Sequence, residues 1–374
     1  MVFVFHYGGG LRSHHAAIRL LGYLTETGWT GVVLFFALSG FLITGGLWDS
    51  LQQTPLRAAH ILRNFYARRA LRILPLYYAA LLASAIVTIV RGSDLAALHP
   101  LAIFALFLQN LPNFAYVTIH NTSPLPLYHL WSLAVEEQFY LLWPALLLLA
   151  RTRRAALHLS LWSFALAAVF RVIVYGLPCF YWAGGWLSSV PSNHFDTFLL
   201  TQCGALALGA AFALAMRNPA WHVMQRWATP AFFAGLALYL LSSLLCRSFL
   251  LVAPMQYIIG LPGVSLAAAA LLPILLRPGV ACTITSFAPL PWLGRISYGF
   301  YVFHILLQPI YDHLAWHLTH ADAGMRYQTV RLLVALPLTV LAAWLSYHLL
   351  ELPFLRAKRR FPLHPALPQA NPAA

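Results

Sequence analysis

The sequence predicts an all-α fold, a polytopic transmembrane helix bundle of about ten spans with one further re-entrant or interfacial segment. Three observations lead there. Hydrophobic residues fill 61% of the 374 positions and charged residues only 9%, against roughly a quarter charged in an ordinary soluble domain. Long apolar runs lie near 29–50, 73–90, 128–150, 155–177, 196–216, 229–249, 255–276, 294–316 and 328–350, each close to the roughly 20 residues a helix needs to cross a bilayer. The basic residues gather in short clusters between those runs, the pattern that the positive-inside rule produces.

Taken in chain order, the residues up to His6 and Tyr7 look like the end of a first span whose start is cut short, and they lack the charged start of a cleavable signal peptide. The run 99–111 is short for a crossing and ends at Asn110 and Pro112. The arginine clusters decide its course. Arg57, Arg63, Arg68, Arg69 and Arg72 form one group, then come Arg151, Arg153 and Arg154, then Arg217 and Arg226, then Arg277 and Arg295, and last Arg356, Lys358, Arg359 and Arg360. If 99–111 does not cross, all of them fall on one cytoplasmic side, so the run is expected to be re-entrant or interfacial. Arg12, Arg19, Arg91, Arg247 and Arg326 then lie outside, and Arg171 lies within a span. Tyr181, Trp182 and Trp186 suit an outer aromatic belt. Residues 1–360 are expected to form one membrane domain and 361–374 a disordered Pro/Ala tail.

The net charge of +14 reports topology, with attraction to anionic lipid as a secondary effect; a nucleic-acid partner is not expected. Basic side chains are nearly all arginine, with Lys358 the single lysine. Cys179, Cys203, Cys246 and Cys282 contain no pair at metal-ligand spacing, and no metal site is expected. Cys179 and Cys246 both fall near the outer face, where a disulfide stays open.

Ionisable groups inside a span are costly and call for an explanation. In the stretch from His129 to Tyr140, Glu136, Glu137 and Gln138 begin about two turns into an apolar run. Adjacent helical positions diverge by about 100°, so one glutamate is expected to face a polar cavity while the other pairs elsewhere. An interhelical ion pair is the structural alternative. His6 stands in an apolar stretch, and imidazole is the natural general base for a hydroxyl near neutral pH. His304 fits a helix-to-helix hydrogen bond or a substrate contact equally. Arg69 and Arg72, three apart, share a helix face, and guanidinium forks suit phosphate. Asp196 and Glu351 lie at span boundaries, open between ion pair and site.

Together these segments resemble acyltransferase family 3, integral-membrane enzymes that modify bacterial surface sugars and some secreted small molecules. The likeness covers nearly the whole chain. Gly31 to Thr44, with Ser39 and Gly40, looks like the family's second span; Arg68-Arg69-Ala-Leu-Arg72-Ile-Leu-Pro75 matches its arginine entrance; Trp131 to Tyr140, containing Glu136 and Gln138, matches its most recognisable stretch. Ser297-Tyr298-Gly-Phe-Tyr301-Val-Phe-His304 and Glu351-Leu-Pro353-Phe resemble the last two spans.

The resemblance implies transfer of an acyl group, acetyl by default, from acyl-coenzyme A to a hydroxyl of a carbohydrate or glycosylated acceptor in a bacterial inner membrane, with the C-terminus cytoplasmic. His6 and Glu136 are the implied catalytic residues, the histidine accepting the hydroxyl proton and the glutamate orienting it or binding acceptor. Arg68, Arg69 and Arg72 are the implied donor ligands, and Glu137, Gln138, Tyr140, Asp196, Ser297 and His304 the expected substrate contacts. Direct transfer and a covalent acyl-histidine both fit. No tail is long enough for a second globular domain, so spans and short loops would bind the acceptor, be it a lipid-linked sugar, an exported glycan or a glycosylated metabolite. The family also places a basic residue eleven positions before the histidine, which here falls before Met1. The rival expectation is a proton-coupled transporter or flippase, because intramembrane Glu and His also build proton relays; no internal repeat of transporter type is evident. A purely structural membrane scaffold would leave Glu136, Glu137 and the arginine face without a role.

Overall fold

The structure, a computed structural model, describes residues 1–8, 22–53, 58–92, 95–112, 114, 125–177, 195–219, 221–251, 253–279, 283 and 286–363. Cys179, on which the open question of a disulfide to Cys246 turns, the belt residues Tyr181, Trp182 and Trp186, Arg12, Arg19, Arg57 and the tail beyond 363 lie outside the described residues. Among the described residues the chain is helical apart from short turns, with no strand. The elements that position the site are α1 (Val2–Gly8), α2 (Thr30–Gln53), α3 (Ala58–Val90), α4 (His99–Ala105), α5 (Trp131–Ala150), α6 (Arg153–Arg171), α7 (Leu199–Met216), α8 (Ala228–Cys246), α9 (Leu261–Leu275), α10 (Pro289–Leu306), α11 (Gln308–Thr319), α12 (Met325–Ser346) and α13 (Leu352–Ala357).

Among the described residues, eight helices are long and apolar enough to cross a membrane, from Gly22–Gln52 through Met325–Arg360. Their outward side chains are aliphatic or aromatic: Leu82, Val90, Leu149, Trp162, Leu244 and Leu349 are all exposed. Large apolar residues on that scale do not face water in a soluble protein, and the chain is an integral membrane protein. The two other expected crossings correspond to shorter or more polar helices. α1 has seven residues, about 10 Å of helix. The run 294–316 is divided at Leu307 between α10 and α11, and α10 carries Arg295, Ser297 and His304, which lower its apolar character. α4 also has seven residues, and Phe107 just beyond it turns into the left-handed region at φ 55°. The 99–111 run therefore does not cross as one helix.

Proline within α3, α5, α9 and α12 (Pro75, Pro144, Pro273, Pro337) is tolerated because neighbouring helices take up the freed backbone groups. The centre of the bundle is α7, built largely of Ala, Gly and Leu, with 78% of its length inside the protein. Small residues let helices approach closely where lipid offers no hydrophobic drive. A Cβ on Gly40 of α2 would sit 2.0 Å from the Leu206 carbonyl oxygen, and one on Gly209 of α7 would sit 1.9 Å from that of Ala37. Arg217 closes one end of this helix pair with a fork on Asp49, at 2.6 and 2.5 Å. Arg171, fully buried in α6, donates to the Thr201 carbonyl of α7 at 2.6 Å, which gives this intramembrane arginine a structural contact.

Gly209→Ala is expected to force α2 and α7 apart, costing about 1–3 kcal/mol or more and lowering the melting temperature of detergent-solubilised protein. Gly46→Ala, where nothing lies within 4 Å of the added carbon, should leave that temperature unchanged or raised. Equal melting for both variants would contradict the close approach.

Candidate active site

Four helices contribute one side-chain row each to a cavity of about 750 Å³. From α5 come Ser132, Glu136 and Tyr140, four apart and therefore on one face. From α3 come Phe65, Arg69 and Arg72, with Arg68 beside them; α2 supplies Phe35, Ser39 and Leu42; α10 supplies Gly294, Ser297 and Tyr301. Sequence spacing thus aims each row, and the bundle brings the rows together. Glu136 is 2% exposed and lines the cavity with Ser39 and Tyr140, whose hydroxyls are bonded to each other; its Oε1 is buried with no hydrogen-bond partner among the described residues. The Arg69 guanidinium lies over the rings of Tyr140 at 5.4 Å and Phe65 at 5.7 Å.

Ion pairs would neutralise these arginines, but the two found among the described residues, Arg217–Asp49 and Arg331–Asp312, lie elsewhere. One end of the cavity is therefore strongly cationic. Guanidinium groups in such a half-buried setting have the geometry that suits phosphate oxygens.

His6 borders a second cavity of about 170 Å³, with Tyr128, His129, Asp196 and Gln202. The two cavities adjoin, because Val2, Val32 and Tyr301 wall both. The Tyr301 hydroxyl donates to the His129 carbonyl and shares a hydrogen bond with Ser132 at 2.6 Å. Behind His6 stands a group of rings: His6 to His304 is 5.3 Å, His304 to His129 is 5.2 Å, and His6 to Tyr128 is 6.2 Å. Among the described residues no three His, Cys, Asp or Glu side chains form a group able to hold a metal ion.

The expected site residues separate into three groups. Arg68, Arg69, Arg72, Glu136, Tyr140 and Ser297 line the larger cavity; His6 and Asp196 line the smaller; Glu137, Gln138 and His304 line neither. No hydrogen bond joins Glu136 to His6 among the described residues, and the two line different cavities. Gln138 departs most from expectation. Its amide donates to the Phe107 carbonyl at 2.9 Å and to Asn110 at 2.7 Å, and accepts from Asn110 at 2.9 Å. Those bonds pin the turn after α4 and point the side chain away from both cavities. Among the described residues Glu137, about 100° round the helix from Glu136, makes no ion pair and lines neither of the two cavities. His304 contacts other rings and bonds the Tyr301 carbonyl through Nδ1 at 2.5 Å. Glu351 accepts from Ser346 at 3.1 Å, and Asp196 accepts from the Tyr175 hydroxyl at 2.8 Å.

Ser39, His129, Ser132 and Tyr301 were not expected to reach the site. All four belong to the motif stretches, and only their direction across helix interfaces was missing.

The family described as Acyltransferase domain matches residues 1–350. The chain belongs to this acyltransferase family. It is similar to the peptidoglycan O-acetyltransferase OatA of Listeria monocytogenes, 29% identical over 324 residues, covering 79% of the chain and 48% of the relative. It is also 29% identical over 378 residues to the putative peptidoglycan O-acetyltransferase YrhL of Bacillus subtilis, covering 92% of the chain and 54% of the relative. A putative O-acetyltransferase of Staphylococcus aureus is 26% identical, covering 87% and 52%. This acyltransferase chain spans about half the length of the curated relatives it matches. No solved structure matches it.

Proposed function

We propose that this chain is a membrane O-acyltransferase that moves an acyl group, acetyl by default, from acyl-coenzyme A to a hydroxyl of a carbohydrate or glycosylated acceptor. The observation that carries the proposal is the continuity of lining: arginines at one end, a buried carboxylate in the same cavity, and a histidine across the shared wall of Val2, Val32 and Tyr301. A proton relay by itself needs none of the phosphate-binding character. Relatives named for O-acetyl transfer to peptidoglycan favour a glycan acceptor.

In the proposed reaction Arg69 and Arg72 bind the donor phosphates from the cytoplasmic side of the bacterial inner membrane, where the C-terminus also lies. The acceptor hydroxyl gives its proton to the neutral imidazole of His6 while its oxygen bonds to the thioester carbonyl carbon. The carbon–sulfur bond then breaks, and the departing thiolate takes the proton from the imidazolium. Glu136, beside Ser39 and Tyr140 in the larger cavity, binds and orients the acceptor, with Ser297 and Asp196 as further polar contacts in their respective cavities. Holding both reactants in fixed geometry turns a bimolecular encounter into a unimolecular step.

Purified protein incubated with labelled acetyl-coenzyme A and glycan acceptors is expected to move label onto the glycan. Glu136→Gln should lower kcat by about a hundredfold or more without changing coenzyme A affinity. Undiminished transfer in that variant would remove Glu136 from the mechanism; label never reaching any hydroxylated acceptor would count against the enzyme itself.

A further inference from the structure

The C-terminal segment is fastened to α3 by two side chains on one helix face. Asn64 Nδ2 donates to the Pro362 carbonyl at 2.7 Å, and four residues on, Arg68 Nη1 donates to the carbonyls of Lys358 and Phe361, both at 3.3 Å. On the neighbouring face of α3, Arg69 and Arg72 point into the larger cavity. This fastening carries Lys358 into the same cavity, while Arg359 and Arg360 beside it stay exposed. Four cations therefore converge at one end of a cavity in which Glu136 is the one carboxylate among the described lining residues. The four are not equivalent. Arg68 is tied by Nη1 to two carbonyl oxygens of the segment it holds. Lys358 brings a compact ammonium with three donors on a flexible stem, the complement of the planar arginine forks for a group with several phosphate oxygens.

We infer that Lys358 binds the phosphates of the nucleotide-bearing thioester donor beside Arg69 and Arg72, and that Arg68 is a positioning residue that holds Lys358 in place. The inference rests on the proposed use of this cavity for acyl-coenzyme A. It also divides the C-terminal basic run: Lys358 serves the site, and its exposed neighbours serve topology.

The test uses the full chain in detergent micelles or nanodiscs, with coenzyme A as the probe and its Kd measured at several salt concentrations. Lys358→Met keeps most of the stem and is expected to weaken binding about tenfold, as loss of a charge-assisted contact to phosphate does. It should also make log Kd less dependent on log salt. Lys358→Arg restores most of the affinity. Arg359→Met removes the same charge one residue away and should change Kd less than twofold. Arg68→Met weakens binding in the wild-type background but adds little to Lys358→Met, because a positioning residue acts through the group it holds. Equal effects from Lys358→Met and Arg359→Met, or none from the former, overturn the inference. Fully additive losses for Arg68→Met and Lys358→Met overturn the positioning role. If wild-type protein binds no coenzyme A, the reading of the cavity falls and the inference with it. If wild type binds and Arg69→Ala weakens it while Lys358→Met does not, the inference alone falls.

Discussion

Alanine at position 6 is expected to lower kcat for acyl transfer by about 10²–10⁴-fold, the usual worth of a positioned general base, while coenzyme A affinity stays within about twofold. The separation follows from geometry. His6 borders the smaller cavity, and the arginines border the larger. α1 is held by contacts that do not involve the imidazole: Phe3 stacks on Tyr7 at 4.7 Å and meets Phe300 at 5.4 Å, the Arg331 guanidinium lies 4.8 Å from the Tyr7 ring, and the Tyr7 hydroxyl donates to the His304 carbonyl. The variant should therefore fold, and His6→Gln, which keeps polarity and approximate volume, should be as inactive as the alanine. Stopped-flow or end-point assays with labelled acetyl-coenzyme A read the result directly. Full turnover in either folded variant would take His6 out of the chemistry.

The second large effect is on donor binding. Arg69→Ala combined with Arg72→Ala should raise the Kd for coenzyme A by about 10²–10⁴-fold, since hydrogen bonds to charged groups contribute about 1.5–3 kcal/mol each. The cost to folding is small by comparison. Among the described residues neither arginine forms an ion pair, and Arg69 gives up its contacts over Tyr140 and Phe65, at about 0.5–1 kcal/mol each. Calorimetric binding and a melting curve on the same preparation separate the two. Unchanged affinity with an unchanged melt would leave the pair as a topology signal alone.

Much of the architecture is legible without coordinates, because the bilayer imposes length and composition on each span directly. The apolar runs at 128–150, 196–216 and 255–276 correspond to helices with nearly the same limits. Part of the polar rows is also readable: Glu136 and Tyr140 are four apart, and Arg69 and Arg72 are three apart. Periodicity places such residues on one face, and the cost of exposing them to lipid turns that face inward.

Gln138 shows where this logic stops. It sits in the same motif as Glu136 and is just as polar, yet its side chain bonds Phe107 and Asn110. Two residues round the helix from the cavity face, it meets a left-handed turn whose backbone needs partners, a demand set by a segment some thirty residues away. Lys358 is the opposite case. In sequence it is one member of a basic run that suits the cytoplasmic rim, and only the bonds from Asn64 and Arg68 single it out. His129 likewise opens a motif without any sign that its ring would meet His304 and Tyr301.

The sequence by itself determined that this chain is a helical membrane protein, where most of its long apolar helices lie, and which side chains are too polar to be left in hydrocarbon. Those properties are local, fixed by hydropathy over one span and by the 3.6-residue turn. Only the tertiary structure decided that the polar groups divide between two adjoining cavities, that Gln138 braces a turn, and that Lys358 joins the arginines. Each of these depends on how helices distant in the chain cross, which small residues such as Gly40 and Gly209 set through close contact and no single segment encodes.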